Sequence, residues 1–217
     1  ARRHRLGRPR TGPTDRSIMT STRGSRLVSG PAGALVHTID SPALGGIDVT
    51  VLDPVADLDL LHEWIGRPSS RFWGLGDKSR EELREIYAFV DSLPSHHAFL
   101  VHRDGLPIVL LQTYEPEHDP LGEVYQALPG DAGLHFLLGA RGAPVRGFSS
   151  HVADAIAEFL FSHPDVDRLV IEPDVGNGRA VSRAVKSGFE LGPHVRLPEK
   201  TGQLAFLTRE RWERLRR

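Results

Sequence analysis

Hydrophobic and polar positions alternate regularly from about residue 47 onward. The first strand is marked by apolar residues separated by polar ones, namely Ile47, Val49 and Val51. Asp53-Pro54 then supplies a cap and a first-turn proline, which predicts a helix over 55–65. A second helix begins at a capping box formed by Ser79 and Glu82. Its apolar stripe comprises Leu83, Ile86, Tyr87 and Val90. The pattern therefore predicts one strand followed by two helices.

The second half of the chain predicts a meander and a parallel crossover. Strand candidates at 97–102 and 107–115 are joined by a hairpin signal at Arg103-Asp104-Gly105, and a third strand follows at 133–138. The later elements are an amphipathic helix, a strand, a helix, two strands and a charged C-terminal helix; the first five cover 148–160, 168–172, 179–186, 190–196 and 202–207. This order predicts an α/β (α+β) fold whose mixed sheet carries helices on both faces.

The N-terminal segment lacks such a pattern. Residues 1–46 are rich in Arg, Gly, Pro, Ser and Thr and have no sustained apolar period, so we expect a disordered extension before a single domain at 47–217. Residues 1–26 contain eight Arg and one Asp, whereas the rest of the chain carries a net charge of −8. Because no aromatic residue interleaves these arginines, we do not expect nucleic-acid binding. Met19 is the only methionine, and we expect the functional chain to begin there.

Composition and motif searches exclude several kinds of function. The chain has 217 residues, no cysteine and no apolar run long enough to span a membrane, so a disulfide scaffold, a cysteine nucleophile and a transmembrane protein are excluded. Gly74 to Ser79 resembles a phosphate loop but carries Asp77 before its lysine, which favours a capped helix start. No pair of histidines has helical metal-ligand spacing, and we expect no metal.

Two glycine-containing turns suggest a site for an anionic ligand. Arg146-Gly147-Phe148-Ser149-Ser150 leads into the long helix, whose first amides and dipole suit a pyrophosphate, although a plain loop-to-helix turn is equally compatible. Asn177 stands at the start of the next helix, with Ala180 and Ala184 on one face and Gly188-Phe189 after its end.

The spacing of Asn177, Ala180 and Gly188-Phe189 resembles motif B of the GNAT acyl-coenzyme A N-acyltransferases, and the Gly147 turn resembles their motif A. The resemblance implies a central sheet of about seven strands, splayed in the middle, and a coenzyme A thioester as co-substrate. This sequence departs from the family pattern at Pro144 and Ser149, and Ala184 replaces a tyrosine that protonates the leaving thiolate in many members.

A narrower resemblance, to the acyltransferases of hydroxamate siderophore biosynthesis, extends over about 47–210. Its residues include Phe72-Trp73, His97-Ala98-Phe99, Tyr114-Glu115, Asp131-Ala132-Gly133-Leu134-His135, Glu172-Pro173-Asp174 and Pro198-Glu199-Lys200. It implies acetylation or succinylation of an N-hydroxylated diamine such as N-hydroxycadaverine, in the cytoplasm, by a monomer or homodimer. Alternatives are a GNAT enzyme acting on lysine or another plain amine, and a non-catalytic acyl-coenzyme A binding module.

The resemblance also assigns roles to individual residues. His135 is the expected general base or substrate orienter, with Glu172 as its partner and Asp174 in reserve. The donor is expected to contact Phe136, Leu137, Leu138, Arg146, Gly147, Phe148, Ser149, Ser150 and Asn177. Expected acceptor contacts are Trp73, Tyr114, Glu115 and Tyr125. Carboxylates at 115, 117, 119 and 123 are available for a distal ammonium, unless that loop is simply solvated, and a succinyl carboxylate would need Arg71, Lys78 or Arg141. Without a cysteine, direct attack of the amine is favoured over an acyl-enzyme.

Overall fold

The computed structural model describes residues 26–217. The expected start at Met19 and the basic segment before Arg26 lie outside the described residues. The strands are β1 (Leu35–Ser41), β2 (Gly45–Val51), β3 (His96–Arg103), β4 (Leu106–Tyr114), β5 (Asp131–Leu138), β6 (Arg168–Ile171), β7 (Glu190–Arg196) and β8 (Thr201–Thr208). The helices are α1 (Leu58–Ile65), α2 (Arg80–Ser92), α3 (Phe148–Phe161), α4 (Gly178–Lys186) and α5 (Arg209–Leu215). The mixed α/β fold predicted from the sequence is confirmed.

Strand β1 corrects the predicted domain boundary. Disorder was expected up to residue 46, but β1 pairs antiparallel with β2, with Ile39 opposite Ile47. Ile39 and Leu44 are buried, and the His37 ring contacts Phe159 of α3 at a centroid distance of 5.5 Å. The burial of this short segment comes from a helix more than a hundred positions away, so local periodicity could not reveal it. The sheet consequently has eight strands instead of about seven.

The central sheet is splayed between β5 and β6. Strand order is β1-β2-β3-β4-β5-β6-β8-β7. On one side, β5 pairs antiparallel with β4 from Gly133 to Leu138. On the other, β5 pairs parallel with β6 only from Asp131 to Gly133. Residues 131–134 are buried, whereas 135–138 are partly exposed, because the second half of β5 has lost its neighbour. The splay implied by the family resemblance is present.

Different helices cover the two faces of the sheet. Helix α3 packs over β1 to β5 on one face, where Phe159 meets Phe99 edge-on at 5.2 Å. Helices α1 and α2 cover the other face through Trp64 and Tyr87. Since successive side chains of a strand point to opposite faces, Phe136 and Leu138 lie toward α3, whereas His135 and Leu137 lie toward α1 and α2. The gap between β5 and β6 therefore connects both faces.

Several local predictions hold in detail. The Ser79 side chain accepts a hydrogen bond from the Glu82 amide, and the Glu82 carboxylate accepts one from the Ser79 amide, which completes the capping box. Asp104 and Gly105 have φ of 49° and 80°, as the tight turn between β3 and β4 requires. Within the described residues, every helix is too short or too polar to cross a lipid bilayer.

Candidate active site

A cavity of about 810 Å³ lies where β5 and β6 separate. Its volume is typical of small-molecule sites. Residues from both faces of the sheet line it, and the group includes Trp73, Gln112, Leu134, His135, Phe136, Leu137, Leu138, Ile156, Glu172, Asp174, Asn177, Arg183, Ala184 and Lys200. A ligand in this cavity would thus pass through the sheet, with one part on the α3 side and another on the α1 and α2 side.

Three polar side chains meet at Glu172, which directly follows β6. Its side chain is 3% exposed. The Tyr114 hydroxyl donates to Glu172 Oε2 at 2.7 Å, and Lys200 Nζ donates to Oε1 at 3.1 Å. The imidazole Nε2 of His135 also hydrogen-bonds Oε1. The parallel register that pairs Asp131 with Arg168 brings His135 level with Glu172, which explains how residues 37 positions apart meet across the splay.

These three neighbours keep the Glu172 carboxylate ionised. Burial by itself would raise the pKa of Glu172, but His135, Lys200 and the Tyr114 hydroxyl together outweigh it and lower the pKa from 4.5 to about 2. Burial, followed by the neighbouring Glu172 charge, raises the pKa of Tyr114 well above its ordinary value, so the phenol stays protonated and remains a donor. A carboxylate that gives up its proton so readily is a weak base.

The charge of Glu172 decides the tautomer of His135. An ionised carboxylate only accepts hydrogen bonds, so the Nε2 atom that contacts it carries the proton. Nδ1 is then the imidazole nitrogen with a free lone pair, and it has no hydrogen-bond partner within residues 26–217. His135 is about one-third exposed and lines the cavity. The buried carboxylate orients the imidazole so that Nδ1 of its neutral form can accept a proton from a bound ligand.

Asp174 and Asn177 lie at the cavity but are engaged in turns. Asp174 Oδ1 accepts the Gly176 amide at 2.6 Å, and Asn177 Oδ1 accepts the Ala180 amide at 3.2 Å as the cap of α4. Both residues line the cavity. Neither forms a hydrogen bond with His135 or Glu172, so the structure brings the expected pair together without the reserve residue Asp174.

The expected donor residues fall into two groups. Phe136, Leu137 and Leu138 line the cavity beside Ala153 and Ile156 of α3. Residues 146–150 do not line it; they form the turn before α3, in which Gly147 has φ of 74° and the Phe148 side chain is buried in the core. The Phe148 and Ser150 amides donate to Val145 and Gly147 within this turn. The Arg146, Gly147 and Ser149 amides of the turn are left without a backbone acceptor in the described chain.

Of the expected acceptor contacts, only Trp73 lines the cavity. Tyr114 is buried beneath it and binds Glu172. Tyr125 donates to Asp131 at 2.8 Å, and Glu115 accepts the Arg26 amide at 2.9 Å. The structure therefore does not place Tyr114, Glu115 or Tyr125 in the cavity wall, because each is held by another partner: Tyr114 and Glu115 by distant residues and Tyr125 by the nearby Asp131. The other acidic residues of that loop, at 117, 119 and 123, are also absent from the wall.

The basic residues of the wall were only partly anticipated. Arg71 and Arg141 line the cavity, whereas Lys78 pairs with Glu82 at 3.4 Å on the surface of α2 and does not. Sequence reasoning assigned no role to Lys200, Gln112 or Arg183, which also line it. Lys200 was recognised only as part of the Pro198-Glu199-Lys200 pattern. Gln112 lies directly opposite His135 on the neighbouring strand β4, a register that the long connection between β4 and β5 does not reveal in the sequence.

The α3 side of the cavity suits a coenzyme A thioester. Small or apolar residues of β5, α3 and α4 form a channel there, and Arg183 and Arg141 add cationic groups. Such a wall matches a long, flexible thiol that carries phosphates at its far end. When bound, the thioester supplies an activated acyl carbonyl. The residues that line the α3 side of the cavity would hold it.

Comparison with known proteins agrees with this geometry. A family model described as an acetyltransferase (GNAT) domain matches residues 53–197. An aminoglycoside N(6')-acetyltransferase type 1 of Serratia marcescens is 27% identical over 175 residues, covering 74% of this chain and 83% of its own. An N-hydroxyputrescine acetyltransferase of Acinetobacter baumannii is 29% identical over 159 residues, covering 72% of this chain and 74% of its own.

A solved structure extends the comparison to the whole fold. The crystal structure of the aminoglycoside acetyltransferase AAC(6')-Ib in complex with coenzyme A superposes with a TM-score of 0.70 at 26% identity, covering 79% of this chain and 99% of that one. Together with the family match, the splayed sheet and the channel beside it, this establishes the enzyme class. The chain belongs to the GNAT acetyltransferases, and its co-substrate is a coenzyme A thioester.

Proposed function

We propose that this enzyme transfers an acetyl or succinyl group from coenzyme A to the hydroxylated nitrogen of a diamine such as N-hydroxycadaverine, during assembly of a hydroxamate siderophore. The observation that carries the proposal is the His135 and Glu172 pair at the splay. The similarity to an N-hydroxyputrescine acetyltransferase supports the same acceptor class.

The pair matches the proton chemistry of such an acceptor. An N-hydroxylated amine is much less basic than an alkylamine, so it reaches the site with its lone pair free. The nitrogen needs to lose a proton only as it attacks, and His135 Nδ1 takes up that proton while Glu172 holds the ring and stabilises the resulting imidazolium. A lysine or cadaverine amino group would first have to shed an ammonium proton. One imidazole is therefore better matched to the hydroxylated nitrogen.

The charges of the cavity wall favour an acceptor with one ammonium group. The wall contains three carboxylates, Glu172, Asp174 and Glu199, and five basic residues, Arg71, Arg141, Arg179, Arg183 and Lys200. Glu172 is already paired with Lys200, which leaves Asp174 and Glu199 for an ammonium. A hydroxylated diamine has one distal ammonium and needs one carboxylate. An aminoglycoside has several ammonium groups, and the two remaining carboxylates, Asp174 and Glu199, are too few to pair with all of them.

A thiol-release assay tests the acceptor class. Acetyl- and succinyl-coenzyme A would each be combined with N-hydroxycadaverine, N-hydroxyputrescine, cadaverine, lysine and kanamycin. We expect kcat/KM for the hydroxylated diamines to exceed that for cadaverine by at least tenfold. A preference for kanamycin or for plain lysine would overturn the proposal, and thiol release at the same rate without any acceptor would indicate hydrolysis instead of transfer.

A further inference from the structure

Two arginines from different elements line the α3 side of the cavity. Arg141 follows β5, and Arg183 lies on the inner face of α4; both line the cavity. The guanidinium of Arg183 lies over the Phe136 ring at 5.7 Å, and that of Arg141 lies over Phe148 at 5.9 Å. A flat guanidinium that stacks on an aromatic ring is held in place while its N–H groups stay available at its edge.

Neither guanidinium forms an ion pair within residues 26–217. By contrast, Arg168 is paired with Asp131 and Arg211 with Glu190. Arg183 is partly buried, and this burial, together with the nearby Arg141 charge, lowers its pKa. Two cations that line the same partly enclosed cavity repel one another, and an anion bound there would remove that cost.

We propose that Arg141 and Arg183 form a clamp for the phosphate groups of the coenzyme A thioester. Guanidinium groups bind phosphate oxygens through paired, charge-assisted hydrogen bonds. Phe136 and Phe148 hold the two side chains on the α3 face of the sheet, whereas His135 lies on the opposite face. The clamp therefore contacts the donor and not the amine. It assigns phosphate binding to side chains of α4 and of the turn after β5, beyond the amides at the start of α3.

Binding measurements with donors of increasing phosphate content test the clamp. Isothermal titration calorimetry would compare S-acetylpantetheine, acetyl-dephospho-coenzyme A and acetyl-coenzyme A on the full chain. We expect Arg183→Gln and Arg141→Ala each to weaken acetyl-coenzyme A binding by about tenfold or more, since a charge-assisted hydrogen bond contributes roughly 1.5–3 kcal/mol. Binding of S-acetylpantetheine, which has no phosphate, should be unchanged.

The two phosphorylated donors distinguish which phosphate is bound. If the variants lose equal affinity for acetyl-dephospho-coenzyme A and acetyl-coenzyme A, the clamp binds the diphosphate. If they lose affinity for acetyl-coenzyme A alone, it binds the 3′-phosphate. Arg196→Ala is the matched control, because Arg196 is exposed on β7 and does not line the cavity. Its donor affinity should equal that of the unmodified enzyme.

Two results would overturn the clamp: unchanged acetyl-coenzyme A affinity in both variants, or an equal loss of affinity for S-acetylpantetheine. Because Arg183→Gln and Arg141→Ala each remove one of two like charges, the melting temperature of each variant should be unchanged or higher. A lower melting temperature would reveal misfolding. Because no acceptor is present in these titrations, the clamp and the proposed acceptor class can fail independently.

Discussion

The ring of Tyr114 occupies the space that a side chain at position 133 would need. Gly133 and Tyr114 are partners on the adjacent strands β5 and β4, and a Cβ atom added to Gly133 would lie 2.2 Å from Tyr114 Cε2. This close approach lets the ring lie flat across β5, so that its hydroxyl reaches Glu172 at 2.7 Å. A glycine that touches no ligand is thereby part of the catalytic arrangement.

Gly133→Ala should displace Tyr114 and disrupt its bond to Glu172. Because backbone and ring cannot both move freely in a packed sheet, we expect a loss of about 1–3 kcal/mol in the free energy of unfolding, measured by urea denaturation. Gly178→Ala is the control, since a Cβ atom at Gly178 meets nothing within 4 Å. Its stability should not fall. Equal stability of both variants would contradict the steric role assigned to Gly133.

Loss of the base should slow turnover without weakening donor binding. In steady-state assays, His135→Ala and Glu172→Gln should each lower kcat by tenfold or more, as is typical when general base help is removed. Affinity for coenzyme A, measured by calorimetry, should stay within about twofold. His118→Ala serves as the control, because this exposed histidine does not line the cavity. Unchanged kcat in both site variants would remove the pair from the mechanism.

Acid should destabilise the fold through Glu172. The folded-state pKa of Glu172 is lowered to about 2 from 4.5, so the native state binds this proton less readily than the unfolded chain does. Its contribution, about 3 kcal/mol, is fully present above pH 4.5 and is lost as the pH falls toward 2. Urea unfolding of the enzyme and of Glu172→Gln at pH 7, 5 and 3 checks this. The difference in the free energy of unfolding between the enzyme and Glu172→Gln should become smaller as the pH falls. A difference that does not change with pH would contradict the stabilising role assigned to the Glu172 carboxylate.

The buried pair of Asp131 and Arg168 fixes the closed end of the splay. These residues are register partners of β5 and β6, and the guanidinium donates to both carboxylate oxygens, at 2.7 and 2.8 Å. The Tyr125 hydroxyl and the Leu128 amide also donate to Asp131. Asp131→Ala should therefore cost about 3–5 kcal/mol in thermal or urea unfolding, since it leaves a charge and several donors unpaired. Asp104→Ala, at an exposed turn, should cost much less.

Sequence patterns predicted the elements, and they pointed to His135 and Glu172, which the structure brings into contact, but they did not predict the surroundings of this proposed catalytic pair. The alternation along β5 placed His135 on one face, and the family spacing pointed to Glu172. The roles of Tyr114 and Lys200 were missed because both depend on contacts across strands and turns that have no local signature. The expected acceptor wall at Glu115 and Tyr125 fails for the same reason, since these side chains are held by Arg26 and Asp131.

The sequence by itself determined the order of strands and helices after residue 47, the capped starts of α2 and α4, the hairpin turn and the enzyme family, because these depend on spacing between near neighbours. The predicted cap at Asp53-Pro54 was wrong, since α1 begins at Leu58. Only the tertiary structure decided that residues 35–41 join the sheet, that Tyr114 and Lys200 converge on Glu172, and that Arg141 and Arg183 line the same cavity. These contacts arise where β5 and β6 lose their pairing and where packing brings distant segments together. The local periodicity of the sequence indicates neither of these features.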